Sequence, residues 1–133
     1  MTGLKWKAIV FGVAVDMLGS LVIGFVAYAA TAAGQPLTEP VSMQERFGTI
    51  GLALLMVVGL AQTGLGGFAA AQMARAQFVR HGAAVGVVSL IFGLLLKLSS
   101  GPDDALPLWY DIASYLCVIP AAAFGGQLAE HRT

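Results

Sequence analysis

Charge is the first thing this sequence has little of. Of its 133 residues, seven are Lys or Arg and seven are Asp or Glu, so charged residues make up 11% and the formal net charge is zero. A soluble domain carries roughly 25% charged residues. Too few remain here to cover a water-facing surface, which excludes an ordinary soluble enzyme. A disordered chain is excluded because 58% of the residues are apolar. With no basic excess and a pI near 6.7, nucleic acid is excluded as a partner, since phosphate binding needs clustered cations. One cysteine, Cys117, leaves no disulfide framework and no cysteine-based zinc cluster. Cys117 itself is expected to be a small core residue. What the chain has in excess is hydrophobicity, with a mean hydropathy of +0.83. The remaining class is an integral membrane protein.

A helix needs about 20 mostly apolar residues to cross a hydrocarbon core of about 30 Å. Four stretches meet or approach that length, at about 8–30, 47–74, 80–98 and 106–129. The first holds one charge, Asp16, and the second none; Lys97 lies near the end of the third and Asp111 near the start of the fourth. Gly34-Gln35-Pro36-Leu37-Thr38-Glu39-Pro40 cannot continue a helix in lipid, because its prolines withhold backbone donors. Ser42 and Glu45 then have the spacing of a capping box, which predicts a helix start. Ser99-Ser100-Gly101-Pro102-Asp103-Asp104 reads as a polar turn. The short link between Arg75 and His81 makes spans two and three antiparallel neighbours. Lys5 and Lys7 before an apolar run, with Ala27-Tyr28-Ala29 after it, have the look of a secretory signal. That run is long for a signal and contains Asp16, so a retained helix is expected.

Orientation follows from the basic residues. Lys5, Lys7, Arg75, Arg80 and Arg132 fall on the side of the termini, and only Arg46 and Lys97 on the other. Both termini are therefore expected in the cytoplasm of a bacterial cell, with the chain in the inner membrane. Trp6 on one side, with Tyr28, Trp109 and Tyr110 on the other, suits the two interfaces.

Two segments recur in order. Ser20-Leu21-Val22-Ile23-Gly24 is matched by Ser89-Leu90-Ile91-Phe92-Gly93, and Gly66-Gly67-Phe68-Ala69-Ala70 by Gly125-Gly126-Gln127-Leu128-Ala129. They predict an all-α four-helix membrane bundle, a single domain made of two parallel repeats of a helical hairpin. In lipid, small residues let helix backbones approach and gain dispersion contacts. Gly12, Asp16, Ser20 and Gly24 share one face of span one. Gly59, Thr63, Gly66, Gly67 and Ala70 form a seam on span two, and Gly82, Gly86, Ser89 and Gly93 on span three. Gly125 and Gly126 are expected to do the same in span four. Pro120 is expected to kink that span, with Ala121, Ala122 and Ala123 leaving room for a neighbour.

Asp16 is the one position where chemistry is expected. It lies about 15 Å along the helix from Trp6, and an ionised carboxylate there costs about 2.5–3.5 kcal/mol on insertion scales. It must face other helices and find donors or hold its proton. Gln62 and Thr63, about 18 Å from Ala74 on span two, lie at a comparable depth and are the expected donors, with Ser20 one turn away. The repeat places Val85 where Asp16 would recur. Lys97 and Asp111 can pair near the outer interface. His81, Glu130 and His131 share the cytoplasmic side, but no helical spacing sets His81 beside the other two, so no metal is expected there. No nucleophile–base pair or phosphate loop is visible; no catalytic residue and no cofactor is expected.

Trp6 after a lysine, Gly12-Val13-Ala14-Val15-Asp16 and the two Gly-Gly-x-x-Ala ends resemble the small bacterial four-helix inner-membrane proteins of unknown function, over most of the chain. That resemblance implies the architecture and brings no activity. The leading expectation is a non-enzymatic protein acting by helix–helix association in the lipid bilayer, as a homo-oligomer or as a small subunit of a larger membrane protein complex. The alternative is a small proton- or cation-coupled transport or channel unit that uses Asp16.

Overall fold

The computed structural model describes residues 3–32, 42–99 and 106–132. It contains four helices and, among the described residues, no strand: α1 Trp6–Ala32, α2 Met43–Ala74, α3 Phe78–Ser99 and α4 Leu108–Glu130. All four are long and apolar enough to cross a membrane. The segment read as a loop at 34–40 lies outside the described residues, as does 100–104 of the turn read at 99–104; Ser99 itself is the last residue of α3, its hydroxyl donating to the Leu96 carbonyl at 2.8 Å.

The starts of α2 and α4 show local chemistry at work. Ser42 Oγ accepts from the Glu45 N–H at 3.2 Å while Glu45 Oε2 accepts from the Ser42 N–H at 3.1 Å, the reciprocal pair of a capping box. One turn later Gly48 has φ +63° and ψ 174°, a break between that first turn and the long run that follows. Only glycine takes this conformation without strain. α4 begins at Leu108, two residues later than expected. Pro107 is its N-cap, with ψ 142°, and a residue before proline is pushed out of the α region, so Leu106 cannot begin the helix. Between α2 and α3, Arg75 and Gln77 both have positive φ, 50° and 48°. The Arg75 N–H bonds the Ala71 carbonyl at 2.9 Å and closes α2.

The helices alternate in direction and enclose one bundle. α2 and α3 touch each other and both touch α1 and α4, which sit on opposite sides of that pair. The packing is uneven along the bundle. Towards the chain termini the backbones nearly touch: a Cβ at Gly12 would lie 2.5 Å from the Gly66 carbonyl oxygen, and one at Gly66 would lie 2.7 Å from that of Gly12. Gly67 and Gly82 are held against the Ala122 carbonyl, Gly125 against that of Gly64, and Gly126 against that of Phe78. Gly86 meets the Ile119 Cα at 2.8 Å. Most of the buried residues lie at this end, among them Ala8, Ala70, Ala71, Ala74, Val85, Ala122 and Ala129.

The opposite end is looser, and two expected seam positions fail there. Gly24 and Gly59 have no described atom within 4 Å of a built Cβ, and Gly93 meets only the Tyr115 ring at an ordinary 3.9 Å. Beyond Asp16 the outer face of α1 is exposed at Leu18, Leu21, Val22, Phe25 and Val26, while Tyr28 near its far end still meets the Arg46 guanidinium of α2 at 5.0 Å from the ring centre. Gly19, not expected in a seam, lies directly under the Gln62 amide. Cys117 is also corrected. It is exposed, because α4 turns Ile112, Leu116 and Phe124 outward and Cys117 sits beside that stripe.

Candidate functional site

Asp16 is 4% exposed, buried one turn beyond the Gly12–Gly66 crossing that closes α1 on α2. Its donor differs from the expected ones. The Ser89 hydroxyl of α3 donates to Asp16 Oδ2. Gln62 instead donates from Nε2 to the Val15 carbonyl at 2.9 Å, lying over the bare backbone at Gly19. Thr63 turns back on its own helix and donates to the Gly59 carbonyl at 3.2 Å. Both polar groups of α2 are thus occupied by backbone acceptors, and α3 supplies the hydroxyl. Asp16 Oδ1 is buried and has no hydrogen-bond partner among the described residues.

Ser89 was missed as a partner because the repeat pairs it with Ser20, one turn beyond Asp16. Depth would have found it. Ser89 lies about 16 Å along α3 from Phe78, against about 15 Å for Asp16 from the start of α1. The two helices run parallel, as the contacts Lys5–His81 and Asp16–Ser89 show.

Above this pair, on the side away from the termini, all four helices line an open cavity of about 330 Å³. Ser20, Thr63, Ser89, Tyr110, Ser114 and Tyr115 bring hydroxyls to it, and Met56, Leu60, Leu90 and Val118 supply apolar wall. Near it the Lys97 ammonium pairs with Asp111, as expected, and lies 6.0 Å from the centre of the Tyr115 ring. Ser20, Thr63 and Ser89 therefore meet at one cavity, with Asp16 behind Ser89; Gln62 stands apart on the α1 backbone.

A second polar contact lies at the terminal end and was not expected. His81 is fully buried. Its Nε2 accepts the Lys5 backbone N–H at 2.9 Å and its Nδ1 faces the Gln77 carbonyl at 3.1 Å. A backbone N–H can only donate, so Nε2 is the acceptor and the proton sits on Nδ1. Lys5 Nζ donates to the Ala74 carbonyl at 2.7 Å, so the chain before α1 is fastened to α2 and α3 together. His81, read from the sequence only as sharing the side of the termini with Glu130 and His131, is thus buried in the bundle and serves packing.

No family model matches this chain, and neither a curated protein nor a solved structure does. The chemistry is therefore read from the site itself. A buried carboxyl with one oxygen satisfied and one bare can hold a proton on the bare oxygen or draw a cation towards it. No basic side chain of α2 or α3 lies at that depth, since Arg46, Arg75, Arg80 and Lys97 are near the helix ends.

Proposed function

We propose that the chain is a four-span protein of the bacterial inner membrane, with both termini cytoplasmic, that handles protons or small cations at Asp16. The observation that carries this reading is the bare, buried Oδ1 of Asp16, whose hydrogen-bond partner Ser89 lines a mostly apolar cavity with a few hydroxyl-bearing residues. Intramembrane acids are costly and tend to mark ion or proton paths. Membrane insertion is supported by the four apolar helices, and the orientation by five of the seven basic residues lying on the side of the termini. The test uses proteoliposomes under an imposed potential, with an internal pH dye and with sodium or potassium as the cation. The parent should pass protons or one of the cations, and Asp16→Asn should fold alike and lose the flux. Equal flux in parent and variant would sink the reading.

Association is the second reading, as a homo-oligomer or as a subunit of a larger membrane complex. It is favoured by the far half of α1, where Leu21 and Phe25 are 69% and 72% exposed and the space around Gly24 is empty. A partner helix could approach closely there. Mass measurement of the protein extracted in mild detergent tests it; a lone monomer would count against it.

A further inference from the structure

We infer that the cavity between the four helices is a binding site for a primary ammonium carried on a small apolar or aromatic body. This rests on reading Asp16 as the group that draws a cation, and goes beyond it by naming what the cavity admits. The argument begins with where hydroxyl protons point. The Ser89 proton is committed to Asp16 and the Thr63 proton to the Gly59 carbonyl. A hydroxyl whose one proton is used can offer only lone pairs to a further partner. At the floor of the cavity, then, Ser89 and Thr63 present acceptors, which suit an N–H donor and repel an anion.

Charge points the same way. Asp16 Oδ1 is buried without a partner, and an unpaired polar atom in an apolar setting is expensive. Its bonded Ser89 is the relay through which a positive group in the cavity would feel it. Outside the opposite end an ammonium already sits by a wall residue: Lys97 Nζ lies 6.0 Å from the ring centre of Tyr115, which lines the cavity, within the range of a cation–π contact. Because Lys97 is paired with Asp111, it brings no net charge to oppose a cationic ligand. Size and wall chemistry complete the match. At about 330 Å³ the cavity is at the small end of ligand sites, which run roughly from 300 to 1,000 Å³ and are mostly apolar with a few placed polar groups. Met56, Leu60, Leu90 and Val118 would hold the body of the ligand while its ammonium faces Ser89 and Thr63.

The test uses the full chain in lipid nanodiscs, with Trp6→Phe leaving Trp109 as the single indole. Trp109 stacks edge-on against the cavity residue Tyr110, ring centres 5.7 Å apart, so its fluorescence reports occupancy. The probes are 2-phenylethylammonium, its neutral counterpart 2-phenylethanol and the anion phenylacetate. Saturable binding of the ammonium is expected, at least about tenfold tighter than of the alcohol, and weakened about tenfold or more by Asp16→Asn. Ser89→Ala should weaken it too, and Ser89→Thr, which keeps the hydroxyl, should restore it. If Asp16→Asn fails to fold, the Ser89 pair decides. Absence of saturable ammonium binding, equal binding of the alcohol, or binding indifferent to Ser89→Ala would each overturn the inference. The flux assay fails or succeeds independently: flux through Asp16 without ammonium binding leaves the proposed function standing and removes this ligand, and binding without flux does the reverse.

Discussion

Gly12 and Gly24 belong to one four-residue spacing along α1, and the sequence treats them alike, although twelve residues turn the helix by about 120° beyond three full turns. Their surroundings differ entirely. Gly12→Ala would drive a methyl against the Gly66 carbonyl oxygen, a backbone atom that cannot swing aside, whereas Gly24→Ala would project into empty space. The first should lower stability by about 1–3 kcal/mol, as overpacking does. The second should be neutral within about 0.5 kcal/mol. Unfolding of both variants in detergent by SDS titration checks the contrast. The burial of Asp16 could be read from the sequence because a charge in lipid has nowhere else to go. Its partner could not. Serine and threonine hydroxyls rotate between a helix's own carbonyls and a neighbour, and the choice depends on which helix stands within reach. Thr63 chose Gly59 and Ser89 chose Asp16. His81 escaped the sequence reading for a related reason: its acceptor is met by a backbone N–H, that of Lys5, which no side-chain pattern announces.

Among the elements, the four helices were plain because uninterrupted apolar runs leave the backbone no other way to satisfy itself in lipid. Their ends depended on specific atoms. The capping box at Ser42 was readable from two residues; the break at Gly48 was not, because an isolated glycine in a helical run is usually tolerated without one. Its φ of +63° makes the residue testable. Gly48→Ala places an L side chain at positive φ with ψ near 180°, a region essentially reserved for glycine, which costs roughly 1–3 kcal/mol. The variant should melt at a lower temperature by circular dichroism, or straighten the first turn into the helix and lose the Ser42–Glu45 pair, which amide exchange at Glu45 would reveal. Unchanged melting and unchanged exchange would contradict the strained geometry. At the other turn, positive φ at Arg75 and Gln77 carries no sequence signal, since neither residue type favours it.

For the whole molecule, the outward face of the bundle decides where the protein can live. Cys117 lies on it, about 14 Å along α4 from Leu108. If the bundle sits in a bilayer, a lipid-soluble maleimide should label Cys117 in intact membranes while a charged, water-soluble one does not, and both should react after denaturation. Labelling by the charged reagent in intact membranes would place this face in water and remove the membrane reading. The count and direction of the helices could be read before the structure. The division into a close-packed end and an open end could not, because the same Gly-x-x-x-small spacing occurs at both and only three-dimensional neighbours tell them apart.

That division gives α1 the mechanics of a lever. The helix is pinned near one end, where Lys5 is fastened to His81 and Ala74 and Gly12 rests on Gly66. Beyond Asp16 its outer side chains are exposed, and Arg46 of α2 over the Tyr28 ring at 5.0 Å is a contact that a swing of the far half must carry or break. From the fulcrum at Gly12 to Ala30 the arm is about 27 Å long, so each degree of tilt moves its far end by about 0.5 Å. A tilt too small to disturb the glycine contacts would alter the width of the cavity beside Ser20. Paired spin labels should show this as a distance distribution between α1 and α3 that broadens steadily from the level of Gly12 towards that of Val26.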